Sequence, residues 1–210
     1  MSKFDLYEQE QINKIKYFWK DWGKYIISIF IIIATGYLAN FFWNSYNQKQ
    51  EASVAQLYMQ FNEALQNKDV KNVYVITNEL EKKYSKNELT ILASIKAAVL
   101  AYNNKEFDLA IKFLLWASTN TSDKGMESIA KLRLASIYID QRKFDKALSV
   151  LLEKHEPSFD AAYLSTKGDL YIAKGDLVKA REAYKEALQK SSANGGATEL
   201  LQLKIDVLGG

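Results

Sequence analysis

Side chains whose type and spacing could support catalysis or metal binding are few in this sequence, and they lie far apart. His155, in the segment EKHEPSF, is the only histidine, and the chain contains no cysteine. A single imidazole without neighbouring ligands builds neither a metal site nor a pair of base and nucleophile, so we interpret His155 as a loop residue beside Pro157. The patterns GxGxxG, GxxxxGK[ST], HExxH and GxSxG are all missing. We therefore expect no metal, no cofactor and no catalytic residue.

Asp169 and Asp176 come closest to a pair of catalytic carboxylates. They lie seven residues apart on either side of a turn, which suits solvated or turn-capping residues better than a general acid and base. Asn120 begins a formal glycosylation acceptor, Asn-Thr-Ser, which we interpret as a chance match in a chain rich in Asn and Lys. The sequence thus favours a binding protein over an enzyme, which would need a pocket with converging titratable groups of strongly shifted pKa.

The longest uncharged stretch of the chain runs from Tyr25 to Gln48. A helix of about 22 residues spans about 33 Å, enough to cross a hydrocarbon core of about 30 Å. The stretch ends in NFFWNSY, with bulky residues where a signal peptidase needs small ones, and aromatic residues at both ends suit the two headgroup zones. We predict an uncleaved transmembrane helix over residues 23–46, preceded by a tail of residues 1–22.

The lysines near this span predict its orientation. Lys14, Lys16 and Lys20 precede it and Lys24 lies at its amino-terminal edge, whereas only Lys49 follows it before Lys68. By the positive-inside rule, residues 1–22 remain in the cytoplasm and residues 47–210 form a periplasmic domain of a single-pass inner-membrane protein. Without cysteine, that domain relies on no disulfide.

The outer segment is long enough for one domain with a sizeable core. The net charge of the whole chain is only +3, and its charges of both signs are interspersed, which argues against a nucleic-acid-binding protein. One proline, few glycines and a long Ala, Leu, Lys and Glu periodicity predict an all-α domain.

An internal repeat organises this domain. In YLSTKGDLYIAKGDLVKAREAYKEAL, small residues would let two antiparallel helices cross closely while aromatic rings fill the space beside them, and KGD would turn the chain. The pattern is carried by Gly168, Tyr171, Gly175, Ala180, Tyr184 and Ala187. It resembles a tetratricopeptide repeat.

Equivalent positions recur towards the amino terminus. The repeat 33 residues earlier uses Ala135, Tyr138, Phe144, Ala147 and Leu151. The one another 37 residues earlier uses Ala98, Ala101, Phe107, Ala110, Leu114 and Ala117. A degenerate fourth repeat is predicted around Phe61, Ala64, Val70 and Val73. The segment SSANGG is predicted to end the last helix of the repeats. Apolar residues at helical spacing over Thr198–Leu208 predict a further helix that caps this α-solenoid.

The repeat register also predicts a binding surface. The first helix of each pair lines the concave face in tetratricopeptide repeats, and the residues placed there are mostly apolar, which suits weak binding of extended, unfolded segments. The alternative is that the capping helix or neighbouring helices cover these positions, which would make them core. The candidate concave binding face consists of Ile95, Val99, Tyr102, Leu132, Ser136, Ile139, Ser165, Asp169 and Ile172.

Nearly the whole chain resembles the YfgM-type ancillary subunit of the bacterial Sec translocon. The likeness is carried by YEQEQINKIKYFWKDWGK, FFWNSY, SDKGMESIAKLRLASIYIDQRKFDKALSVL, LSTKGDLYIAKGDLVKAREAY and LLQLKIDVL, in this order. The span departs from the family in being richer in Ile and aromatic residues than in Gly and Ala, which puts contacts inside the membrane in doubt.

This resemblance implies a non-enzymatic inner-membrane protein. Its implied partners are the SecY, SecE and SecG translocon, the membrane-anchored periplasmic chaperone PpiD and unfolded, translocated client proteins. The implied role is to chaperone clients as they emerge into the periplasm. The alternative function is a membrane-anchored repeat scaffold for assembly of another cell-envelope complex, which would bind folded partners and no client chains.

Overall fold

The computed structural model of the chain describes residues 3–191 and 196–209, and all regular secondary structure in these ranges is helical. The predicted all-α fold is therefore confirmed for this part of the chain. Besides a short 3₁₀ helix, Pro157–Phe159, the described helices are α1 Lys3–Gln66, α2 Val70–Lys83, α3 Glu88–Asn103, α4 Phe107–Asn120, α5 Lys124–Asp140, α6 Phe144–Leu151, α7 Asp160–Lys174, α8 Leu177–Lys190 and α9 Gly196–Val207.

The chain divides into two compact units, Met1–Ser53 and Val54–Gly210. In the first unit, α1 is bent by 41° between Glu10–Tyr25 and Ile27–Trp43. No single helix in the described part of the chain is long and apolar enough to cross a membrane, but this bent pair could do so by length and composition. The anchor over residues 23–46 stays a prediction.

The second unit contains helical hairpins, and the same kind of turn joins the two helices of each hairpin. The first of these turns joins the end of α1 to α2, and the following hairpins are α3 with α4, α5 with α6 and α7 with α8. Each turn inside a hairpin contains a residue of positive φ: Lys68 (56°), Lys105 (63°), Arg142 (55°) and Gly175 (82°). The intervals between these residues are the predicted 37, 37 and 33, so the repeat register is confirmed, including the degenerate repeat predicted around Phe61, Ala64, Val70 and Val73.

Backbone hydrogen bonds give all four turns the same geometry. The amide after the left-handed residue donates to the carbonyl five residues earlier, which satisfies an otherwise free group at the end of the first helix. These bonds join Asp69 to Ala64 (2.9 Å), Glu106 to Ala101 (2.8 Å), Lys143 to Tyr138 (2.8 Å) and Asp176 to Tyr171 (2.9 Å). Only the last of the four turns contains glycine, so the other three adopt the left-handed conformation with a lysine or arginine.

Small residues lie where the two helices of a hairpin cross, as the repeat predicts. Ala98 and Ala110 are buried in the second hairpin, and so are Ala135 and Ala147 in the third. In the last hairpin, Gly168 on α7 faces the ring of Tyr184 on α8 so closely that a Cβ at Gly168 would overlap the ring. This contact leaves room only for glycine.

The core forms two clusters, and the smaller one confirms the predicted cap. The larger cluster extends from Val54 to Leu170. In the smaller, Leu201 and Ile205 of α9 are buried with Ala180, Tyr184 and Ala187 of α8. The helix α9 thereby covers the end of the last hairpin.

Replacing Gly168 by Ala should lower the free energy of unfolding by about 1 to 3 kcal/mol, because the added methyl group meets the ring of Tyr184. In a Tyr184→Leu background the same substitution should be neutral or stabilising, since alanine forms helix better than glycine by about 1 kcal/mol. Urea unfolding of the four proteins measures the difference. Equal losses in both backgrounds would contradict the close contact.

Candidate functional site

A cavity of about 390 Å³ opens between α3 and α5. Its lining includes four residues of the predicted binding face: Val99, Tyr102, Leu132 and Ser136. The remaining lining residues are Ala98, Asn103, Leu114, Arg133, Ile137 and Asp140. Apolar side chains from two neighbouring hairpins thus share one cavity with a few polar groups, a composition typical of binding sites.

A hydrogen bond joins the two helices beside this cavity. The Tyr102 hydroxyl donates to Oδ2 of Asp140 at 2.7 Å, and the Tyr102 ring meets the Phe107 ring edge-on at 5.7 Å. The hydrogen bond to Asp140, together with burial, raises the pKa of Tyr102. Tyr102 bridges the two helices and nevertheless remains 37% exposed.

Sequence reasoning missed Asp140 and Arg133 as lining residues. Asp140 lies 38 residues after Tyr102, one more than the repeat interval, so it follows the equivalent position in the next first helix. The repeat spacing therefore places the Asp140 carboxylate next to the predicted binding face. It does not specify the directions of the side chains, on which the hydrogen bond between Tyr102 and Asp140 depends.

The other predicted face residues lie elsewhere. Ile95 and Ile139 are 5% and 9% exposed and belong to the larger core cluster. Ser165 is half-buried, and Ile172 is exposed. The structure brings none of these, nor Asp169, into the cavity lining.

Asp169 holds the capping helix. Its Oδ1 accepts hydrogen bonds from the Tyr184 hydroxyl and from Nζ of Lys204 on α9, both at 2.6 Å. Burial and the hydrogen bond to Asp169 raise the pKa of Tyr184. The carboxylate therefore joins α7, α8 and α9.

His155 lies in the loop between α6 and α7, as predicted. Its ring stacks on Tyr163 with 3.7 Å between ring centres. Nε2 lies 3.1 Å from Oδ1 of Asp160, and Nδ1 lies 3.1 Å from the Glu153 carbonyl oxygen. Asp176 caps α8 by accepting a hydrogen bond from the Lys179 amide at 3.1 Å, which confirms its turn-capping role.

Ion pairs of Lys131 connect this loop to α5. Lys131 donates to Glu127 at 2.8 Å and to Glu153 at 2.7 Å. Burial opposes the charged form, but these hydrogen bonds outweigh it and raise the pKa of Lys131. Across the described residues, no three His, Asp or Glu side chains converge as metal ligands would.

Comparison with known proteins covers both the apolar segment and the repeats. Residues 16–210 match the family described as tetratricopeptide repeat-like domain. A protein of Neisseria gonorrhoeae called ancillary SecYEG translocon subunit is 30% identical over 204 residues, covering 97% of this chain and 98% of its own length.

The chain belongs to the family of ancillary SecYEG translocon subunits. Another relative with this name, from Aggregatibacter actinomycetemcomitans, is 30% identical over 209 residues and covers 98% of this chain and 99% of itself. The Escherichia coli protein of the same name is 27% identical over 207 residues, with coverage of 97% and 98%. The family resemblance predicted from the sequence blocks is thus confirmed over nearly the whole chain.

The relatives are named as ancillary translocon subunits with tetratricopeptide repeat-like domains, a non-catalytic kind of family. The lining of the α3–α5 cavity offers apolar side chains, one guanidinium and one carboxylate. No cysteine or histidine is among the lining residues, so neither a thiolate nor an imidazole is available there as nucleophile or base. Whether the predicted face binds a partner stays a prediction.

Serine substitutions should separate cavity lining from core. Val99→Ser should lower the free energy of unfolding by about 1 kcal/mol or less, because Val99 is half-buried beside open space. Ile139→Ser should lower it by about 2 to 5 kcal/mol, because Ile139 is buried in the core. Urea unfolding followed by circular dichroism measures both losses. A loss at Val99 as large as that at Ile139 would show that Val99 is also core.

Proposed function

We propose that the chain is a non-enzymatic, membrane-anchored ancillary subunit of the Sec translocon, and that it offers its repeat unit to proteins emerging in the periplasm. The observation that carries this proposal is the extent of its likeness to ancillary SecYEG translocon subunits. At 97% and 98% coverage, the alignment includes both the apolar segment and the repeats. Its proposed partners are therefore SecY, SecE and SecG.

The proposed anchor is residues 23–46. Ile31, Ile32 and Ile33 are successive residues on α1, about 100° apart around its axis, yet they are 58%, 69% and 62% exposed. A helix that is apolar on all sides is unfavourable in water because all of its faces expose apolar surface. A bilayer of matching thickness would cover every face. We place the amino-terminal tail in the cytoplasm and the repeats in the periplasm.

A topology prediction follows from the lysines that precede the span. Alkaline phosphatase fused after Gly210 should be active, since it folds only in the periplasm, and a fluorescent protein that folds only in the cytoplasm should stay dark at the same position. Replacing Lys14, Lys16, Lys20 and Lys24 by glutamine should weaken this preference. An active cytoplasmic reporter on the unaltered chain would reverse the orientation and remove the periplasmic role.

The α3–α5 cavity is the proposed client contact. Apolar burial contributes about 25 cal/mol per Å² before the cost of ordering is subtracted, so a small cavity supports only weak binding. Anchoring offsets this weakness because it raises the effective concentration of the repeats near emerging chains. A membrane-anchored partner chaperone of the PpiD type would act on the same clients, as the resemblance implies.

Site-specific photo-crosslinking in cells tests this proposal. A photoreactive residue at Ser136, exposed on α5 in the cavity lining, should form adducts with SecY and with a stalled, translocating client. The same residue at Ser149, exposed on α6 and not part of that lining, is the control and should give few client adducts.

Adducts at Ser136 that contain only folded proteins of another envelope complex would contradict the chaperone role and favour a scaffold. Client adducts of equal yield at Ser136 and Ser149 would show that the cavity is not the contact surface.

A further inference from the structure

A second cavity, of about 370 Å³, has a strongly basic lining. It lies at the turn between α5 and α6, next to the end of α7. Its lining residues are Arg142, Lys143, Phe144, Asp145, Lys146 and Lys174. Four cationic side chains and one carboxylate therefore surround a half-buried aromatic ring. We call these six residues the basic cavity.

The cations of the basic cavity are available for a partner. All four basic side chains are exposed, and within the described residues none of them forms an ion pair with a carboxylate within 4 Å. Lys146 lies over the Tyr138 ring at 5.8 Å. By contrast, the Lys131 group is neutralised by two glutamates. The basic cavity thus presents a net positive lining, with Asp145 as its one carboxylate.

The position of Lys143 in the repeat makes this charge unusual. The residue after the left-handed turn position is Asp69, Glu106 or Asp176 in the other three hairpins. Asp69 and Asp176 cap the following helix by accepting hydrogen bonds from backbone amides at 3.1 Å. Lys143 makes no such bond, and α6 begins without a side-chain cap. The helix α4, which follows Glu106, also begins without a side-chain cap, so the third hairpin differs from the other three in having a cation, rather than a carboxylate, at this position.

We propose that the basic cavity docks an acidic peptide segment of a partner protein, with carboxylates near the four cations and an apolar side chain beside Phe144. Charge complementarity identifies the partner's chemistry. The half-buried Phe144 ring favours a peptide over a free phosphate, because a peptide segment can place an apolar side chain beside the ring while its carboxylates meet the cations. This site is separate from the α3–α5 cavity and does not depend on association with the translocon.

The Lys143→Asp variant tests the docking site. This substitution reverses the charge while restoring the aspartate cap found in the first and last hairpins, so the fold should be preserved. The probe is a fluorescent eight-residue peptide of four glutamates, two leucines and two glycines, with a glutamine version of the same peptide for comparison. Fluorescence anisotropy on the full chain in non-ionic detergent gives the dissociation constant.

The glutamate peptide should bind the unaltered chain, and Lys143→Asp and Lys174→Glu should each weaken it by about tenfold. Lys185→Glu, on an exposed part of α8 outside the cavity, matches the change in net charge and should leave the affinity unchanged. Raising the salt concentration from about 50 to about 300 mM should weaken binding, since exposed charges are screened.

Three outcomes would overturn the proposal. The first is equal affinity for the glutamate and glutamine peptides. The second is an equal loss in Lys185→Glu, which would show that net charge alone drives binding. The third is displacement of the peptide by glycerol phosphate at equal charge concentration, which would instead indicate a site for phosphate esters or lipid headgroups.

Discussion

The close crossing of the two helices in each hairpin is the constraint on which the repeat unit depends. Alanines, or glycine in the last hairpin, hold the crossings from the second hairpin onwards because a larger side chain would separate the helices. Where the helices cross this closely, the turn with its left-handed residue allows the second helix to run antiparallel to the first. In the first hairpin, Phe61 and Val73 occupy the equivalent buried positions, so the turn is retained although the small residues are lost.

The packing between hairpins then decides which side chains remain available. The first helices α3 and α5 leave a cavity between them, bridged by Tyr102 and Asp140. At the end of the array, Asp169 instead pairs with Tyr184 and with Lys204 of the cap. Equivalent faces of the repeat therefore differ, because one meets another hairpin and the other meets a single capping helix.

The charges of the repeat unit serve two different ends. Around Lys131 they pair with one another and hold the α6–α7 loop against α5. Around Lys143 they remain exposed and give a positive surface at one turn. Surface ion pairs contribute little to stability, so unpaired cations cost the fold little beyond the missing cap of α6.

The sequence by itself determined the helical repeats, their intervals, the crossing residues and the cap. These follow from periodicity, because small and aromatic residues at fixed offsets satisfy a single way of pairing helices. Only the tertiary structure decided that Ile139 is buried while Val99 and Ser136 line a cavity, and that Asp169 binds the cap. Periodicity gives the direction in which a side chain points along its own helix. It does not give the distance to the neighbouring helix, which depends on the combined volumes of side chains far apart in the chain.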